Sequence, residues 1–372
     1  MKKNISIVLG AGFGDEGKGQ CVHAISKPND LVIRFSGGHQ CGHTVITSDR
    51  GKHVFSQFGS GTFNGAATYL SEYCTTYPVA LLHEYNALNS LNISFSPFFV
   101  HPLILITTPY DLAYNRAISM INKHGTCGVG FGATVQRNTD FYHLYAHDLQ
   151  NQYVFETRMA MIAQYYDDKI SGLNMSSQIT FEEELKTAME GWNESIDFFR
   201  NFVRIATLQS IVRQFEDVVF EGSQGILLDQ HAGFFPHVTR SNTTSANALE
   251  IIKAVPELEK ATLDTYYLSR CYHTRHGNGP FVDQPIELIN SENESNQEND
   301  WQGIFRTSCL DLDLLKYAIQ YDMINNRQGE KKLIMTCLDQ LKEPERFLQE
   351  FSQCNFELSV NEIAFKNTPD WL

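Results

Sequence analysis

Basic side chains are scarce in this chain. Its 372 residues carry 29 Lys and Arg against 43 Asp and Glu, a formal charge of −14. Such a surface does not favour non-specific nucleic-acid binding, which needs cations spread along the path of a polyanion. It leaves room for a local basic pocket and for phosphorylated small ligands, which backbone amides hold with few lysines. The eight cysteines form no CxxC pair and lack the density of a disulfide scaffold. Reduced thiols in the cytoplasm are the natural reading. No apolar run reaches membrane-spanning length without polar interruption, and Ile5–Leu9 is too short for the core of a signal peptide. No internal repeat is evident. Neither a membrane nor a nucleic acid is expected as a partner.

What is present suits a large core, because 42% of the residues are hydrophobic. Short apolar runs at Ile5–Leu9, Leu31–Phe35, Leu103–Thr107, Val218–Phe220 and Lys332–Thr336 read as buried strands. Between them lie helix-like segments at Pro109–Lys123, Phe181–Leu208 and Asp311–Tyr321, the last with acidic residues at its front. The expected fold class is α/β, with a large central, mostly parallel sheet, flanking helices and loop subdomains. Residues 1–372 are expected to form one interleaved domain. The polar run Glu292–Asp300 reads as a loop within it.

The first strand leads into Gly12-Phe13-Gly14-Asp15-Glu16-Gly17-Lys18-Gly19. Clustered glycines let backbone amides approach phosphate oxygens, and Lys18 adds a cation, so a P-loop-like nucleotide site is expected. The pattern departs from a Walker A motif at Gly19, where a Ser or Thr would ligate Mg²⁺. Asp15 offers a carboxylate instead. Beside polyphosphate that carboxylate calls for an intervening cation, which points to Mg²⁺. The second glycine segment, Gly37–Thr44, places His39 and His43 four residues apart. On a helix that spacing suits zinc, but three glycines argue against a helix here and no third ligand stands out. His43 is better placed as a general acid or as an electrostatic partner of a phosphate.

FGDEGKG, GGHQCGHT, HGTCGVG, EGSQGILLD, HAGFFPHVTRSNTT, RHGNGPF and TCLD follow one another along most of the chain. In that order they resemble the adenylosuccinate synthetase family. The resemblance implies a ligation in two steps. GTP phosphorylates O6 of IMP, and the amino group of L-aspartate then displaces the phosphate to give adenylosuccinate. By the same resemblance Asp15 is the base at N1 and a ligand of Mg²⁺, and His43 is the general acid. The Gly42 carbonyl is a second metal ligand. Gly14, Glu16, Gly17, Lys18, Gly19 and Thr44 belong to the phosphate site. Thr126 and Cys127 stand at a threonine pair that binds the 5′-phosphate, Gln224 lies near the base, and Thr239 is another phosphate contact. Arg137 matches an arginine supplied across a homodimer interface.

Some segments depart from the family. Trp301-Gln302-Gly303-Ile304-Phe305-Arg306-Thr307 stands where several arginines are usual, which leaves Arg306, with Gly303 and Thr307, to hold aspartate and ribose. Arg275 and Arg240 are further sources of charge. Asp339 in TCLD keeps the carboxylate that reads guanine, but a lysine beside it is lost, so GTP is favoured over ATP only modestly. The shortened segments resemble a compact phage-type branch that joins aspartate to dGMP. That branch carries small hydroxyl residues where this chain keeps Asp15 and Glu16, so IMP is the expected acceptor. A nucleotide-binding regulatory paralogue and a P-loop-like kinase or GTPase are the other readings.

Overall fold

The computed structural model describes residues 3–39, 41–119, 128–289, 304–353, 360 and 362–365. Its centre is a nine-stranded sheet. In spatial order the strands are Glu362–Phe365, Glu330–Thr336, Thr262–Arg270, Asn4–Gly10, Val218–Glu221, Leu31–Arg34, Ala67–Leu70, Phe98–Val100 and Arg204–Ile205. Every pairing in it is parallel. Parallel strands are covered on both faces, which explains why Leu31–Arg34 and Val218–Glu221 are buried at every position. Along the first strand Ile5, Ile7 and Leu9 enter one core cluster, while Val8 joins another with Val22 of the helix Lys18–Ile25.

Four of the five expected strands lie in this sheet. The fifth is narrower and elsewhere, since only Leu105–Ile106 is extended and it pairs with Thr75–Thr76. A turn at Pro102, closed by Ile104 N donating to His101 O, interrupts the apolar run. Thr262–Arg270, the neighbour of the first strand, went unrecognised because polar residues punctuate it. The segment Phe181–Leu208 is not one helix. Gly191, at φ 72, separates Met175–Met189 from Trp192–Phe202. Asp311 caps the helix Leu312–Met323 by accepting from Leu314 N at 3.0 Å. The helix expected over Pro109–Lys123 is present as Pro109–Ser119, and Glu292–Asp300 lies outside the described residues. Among the described residues no helix is long and apolar enough to cross a membrane.

The chain order places consecutive strands on opposite sides of Asn4–Gly10. The strand Val218–Glu221 flanks it on one side and Thr262–Arg270 on the other. This is a topological switch point, where open α/β sheets bind ligands beyond the strands' carboxyl ends. The loops that carry the motifs leave the sheet at that edge, after Gly10, Arg34, Glu221, Arg270 and Thr336.

Arg137, expected from the resemblance at a homodimer interface, has a structural setting within the chain. It is fully buried in the helix Phe131–Thr139, within the chain's own core. Its Nε and Nη2 donate to Asp111 at 2.8 and 3.0 Å, Nη2 also to Ile106 O at 2.9 Å, and Nη1 to Tyr142 O. Every guanidinium nitrogen has a partner within the chain. Removing one partner of such a pair strands the other charge. Arg137→Met is expected to lower unfolding stability by about 3–5 kcal/mol, measured by urea denaturation. A loss under about 1 kcal/mol, the range of an exposed pair, would contradict a buried structural role.

Candidate active site

The loop after Gly10 is shaped by Glu16. Its Oε1 accepts from Gly12 N at 3.1 Å and Gly14 N at 2.7 Å, and its Oε2 accepts from Lys18 Nζ at 2.7 Å. Glu16 and Lys18 are both buried. The concave row of amides is therefore filled by the loop's own carboxylate, and Lys18 faces that carboxylate. The two side chains expected at the phosphate site are thus paired with each other. Gly17, in left-handed backbone at φ 93, caps the helix that starts at Lys18. Two glycines matter for close approach. A Cβ on Gly19 would lie 2.8 Å from His43 Cβ, and one on Gly225 would lie 2.2 Å from Gly12 O. The helix can thus press against His43, and the EGSQG turn against the loop.

Asp15 turns the other way. Its backbone is left-handed at φ 66, its O accepts from Arg270 Nε at 2.6 Å, and its Oδ2 lies 3.4 Å from His276 Nε2. Burial pushes its carboxyl pKa up, but the hydrogen bond from His276 and the charges of Arg270, His276 and Lys18 outweigh that and hold it below the usual value. Asp15 is therefore ionised at neutral pH. Among the described residues no three His, Cys, Asp or Glu side chains gather to hold a metal. A lone carboxylate does not build a protein cage, but it suits Mg²⁺ carried on phosphates, since that ion keeps waters and takes one or two carboxylates. The exposed Gly42, whose carbonyl was expected to help, lies against Val54.

His43 begins the strand His43–Thr47, which pairs with Gly51–Phe55; Thr44 sits opposite Val54. Its Nδ1 is 2.5 Å from Glu221 Oε1. Glu221 also accepts from Ser60 N at 3.0 Å and Ser60 Oγ at 2.5 Å. His43 Nε2 is buried and has no hydrogen-bond partner among the described residues. Burial pulls the His43 pKa down to about 4, against the opposing pull of Glu221. Glu221 is held at about 2: burial raises it, but the charges of His43 and Arg34 and the hydrogen bonds of His43 and Ser60 prevail. Arg34 is fixed by donating to Ser56 O and Cys41 O, each at 2.8 Å. Sequence reasoning missed Glu221. Its one signal was a carboxylate ending the apolar run Val218–Phe220. His39, also buried, packs at a tilt against Tyr77 with ring centroids 5.3 Å apart, and burial lowers its pKa to about 4.

Gln224, at φ 54, follows Glu221 at the same edge with a buried, unpartnered Oε1. Thr239 is half-buried, its N donating to Leu228 O at 2.8 Å, and Arg240 reaches Gln136 at 2.7 Å. Beyond Arg270 the strand Tyr272–His276 pairs antiparallel with Phe305–Cys309, setting Arg275 opposite Arg306 and Thr274 opposite Thr307. Arg306 Nη1 donates to Gly279 O at 3.1 Å, but its Nε and Nη2 are buried without a partner among the described residues. That free pair is the side of a guanidinium that grips a carboxylate bidentately. Arg275 donates to Pro280 O and His237 O, each at 2.9 Å, and burial together with the Arg306 charge lowers its pKa to about 10. Asp339 is exposed, with Oδ2 accepting from Gln340 Nε2 at 2.8 Å. Thr126, Cys127 and Gly303 lie outside the described residues.

An open parallel sheet with acid–base groups gathered at its switch point is the architecture of an α/β enzyme. Comparison with known proteins narrows that class. Residues 7–347 match the family described as Adenylosuccinate synthetase, and the chain belongs to this family of carbon–nitrogen ligases. It is 28% identical to the adenylosuccinate synthetase of Buchnera aphidicola subsp. Schizaphis graminum over 97% of this chain and 82% of that protein. The relative from Azobacteroides pseudotrichonymphae is 30% identical over 91% of this chain and 78% of its own length. Two solved structures share the fold. The fully ligated adenylosuccinate synthetase of Plasmodium falciparum has a TM-score of 0.69 at 20% identity, over 90% of this chain and 77% of that one. The cyanophage S-2L succinoaminodeoxyadenylate synthetase, bound to dGMP and dATP, has a TM-score of 0.65 at 14% identity, over 99% and 94%.

The buried histidines His39 and His43 set an acid limit. Each has a folded pKa below its ordinary value of 6.5. Their contribution to stability is complete above pH 6.5 and is lost as pH falls toward 4, because the unfolded chain takes up the protons first. The slope is about 1.4 kcal/mol per pH unit for each histidine. Unfolding free energy measured from pH 7 to 4 should therefore fall more gently in His39→Gln than in the unsubstituted protein. Parallel curves would refute the buried neutral state of His39.

Proposed function

We propose that the protein catalyses the adenylosuccinate synthetase reaction on IMP, L-aspartate and GTP, with Mg²⁺. The carrying observation is an outward, ionised Asp15 at the same sheet edge as His43, whose free Nε2 is backed by Glu221. In this reading Asp15 takes the N1 proton as O6 attacks the γ-phosphorus and GDP departs. The aspartate amino nitrogen then attacks C6, and phosphate leaves with O6. Mg²⁺, when bound through Asp15 and the Gly42 carbonyl, offsets the charge of the phosphates. His43 donates a hydrogen bond toward O6 and the transferring group. Burial alone keeps it neutral at pH 7. An anionic phosphoryl group beside Nε2 favours protonation, and Glu221 steadies the imidazolium.

The phosphate loop is read here as a nucleotide site in which Glu16 holds Gly12, Gly14 and Lys18 in place, so that phosphate meets the loop's outer face. Gly14, Gly17, Gly19 and Thr44 shape that face, while Gln224, Thr239, Thr126 and Cys127 belong to the monophosphate pocket. Asp339 reads guanine with the oxygen that Gln340 leaves free, which favours GTP over ATP. A homodimer in the cytoplasm completes the reading.

The deciding assay is incorporation of labelled aspartate with IMP, GMP or dGMP as acceptor. Turnover with IMP should exceed that with dGMP, since Asp15 occupies the side on which guanine adds its 2-amino group. A preference for dGMP of about tenfold, or 1.4 kcal/mol in transition-state discrimination, would reverse the acceptor. Asp15→Asn should remove turnover while circular dichroism stays unchanged; near-normal turnover in the folded variant would sink the base assignment.

Arg306→Ala should raise the KM for aspartate, because its free Nε and Nη2 are the paired donors a carboxylate needs. A charge-assisted hydrogen bond is worth about 1.5–3 kcal/mol, or roughly 10-fold to 150-fold. Saturation curves unchanged for both aspartate and IMP would place Arg306 outside the pocket.

A further inference from the structure

The strand that follows Arg270 clamps the phosphate loop along its length. Arg270 Nε donates to Asp15 O at 2.6 Å and Thr274 Oγ1 to Gly14 O at 3.3 Å. The Arg275 guanidinium lies 4.5 Å from the centre of the Phe13 ring, and His273 meets the same ring edge-on at 6.0 Å. His276 is the last residue of this strand, and it faces the Asp15 side chain. Its Nε2 lies 3.4 Å from Oδ2. Among the described residues no other cationic side chain lies within ion-pair range of that carboxylate. The imidazole is seated from behind by Phe305, its cross-strand partner, with ring centroids 4.9 Å apart.

A carboxylate on a loop turns freely about its side-chain torsions unless something holds one oxygen. Asp15 sits at φ 66, where neither neighbour fixes the side chain, since Gly14 has none and Glu16 points inward. We infer that His276 is a positioning residue for the reaction: by holding Asp15 Oδ2 it presents Oδ1 to the reacting purine edge. Phe305 fixes the imidazole, so the arginine-bearing strand Phe305–Cys309 helps to aim the carboxylate. The inference rests on the reading of Asp15 as the reacting carboxylate. It assigns a role to a side chain outside the glycine loops, and it concerns orientation, not proton transfer by His276.

The test compares His276→Leu, which keeps bulk but loses the N–H, with His276→Gln, which keeps an N–H donor. In the full-length protein, kcat should fall about tenfold or more in His276→Leu, the scale of a lost hydrogen bond to a charged group. The KM values for IMP, GTP and aspartate should each stay within about twofold, because ground-state binding does not use this contact. His276→Gln should recover kcat to within about threefold of the unsubstituted protein. Phe305→Ala, which leaves both partners intact, should lower kcat several-fold, and it serves as the readout if His276→Leu does not fold. A His276→Leu protein with unchanged kcat, or Gln and Leu variants that fall equally, would overturn the assignment. Asp15→Asn assayed in parallel separates the two levels. If it keeps turnover, the carboxylate reading falls and the role of His276 falls with it; if it is inactive while His276→Leu is unimpaired, only His276 is wrongly assigned.

Discussion

A buried carboxylate organises the start of this protein. Glu16 sits nearly out of solvent with amide protons of Gly12 and Gly14 on one oxygen and the Lys18 ammonium on the other. An ion withdrawn from water is costly unless its lone pairs are matched by donors, and here both oxygens are matched. The loop is consequently folded around its own anion. Consecutive side chains then diverge, with Glu16 inward and Asp15 outward, so the reactive-looking carboxylate is a by-product of how its neighbour is satisfied. The EGSQG turn closes on the same unit, because a side chain at Gly225 would collide with both Gly12 O and Glu16 Oε1.

The second acid, Glu221, has a comparable but more selective role. It ends a strand that is buried at every position, between Val8 and Arg34 in register. Its two oxygens take three hydrogen bonds from His43 and Ser60, and the far nitrogen of the imidazole is left without a partner among the described residues. Neither the strand nor the acid by itself would point a histidine anywhere. The direction comes from the strand His43–Thr47, brought close by the missing side chain at Gly19. Acid and histidine come from sequence positions 178 residues apart.

The parallel sheet was legible where its strands are continuous apolar runs, as at Leu31–Arg34 and Val218–Glu221. It was illegible at Thr262–Arg270, where Asp264, Thr265 and Ser269 break the run although the strand pairs on both sides. The glycine loops and the polar residues they carry were evident from spacing alone. The partners of those residues were not, because partnership is set by three-dimensional return of the chain. The Lys18–Glu16 pair is local, but nothing near Arg137 in sequence reveals Asp111, and nothing near His43 reveals Glu221. The resemblance to a family supplied roles for Asp15 and His43, while Glu221, Ser60 and His276 came into view only through geometry.

The Thr336 hydroxyl donates to Glu16 O at 3.1 Å across 320 residues of sequence. That strand is synthesised long after the loop, and it borders the strand that borders the first. A nascent chain therefore makes its glycine loop long before the strand whose Thr336 helps to position it. Contacts of such sequence separation close late and slowly, since loop entropy must be overcome before they contribute. The emerging polypeptide lacks the assembled centre until the strand that carries Thr336 has been made.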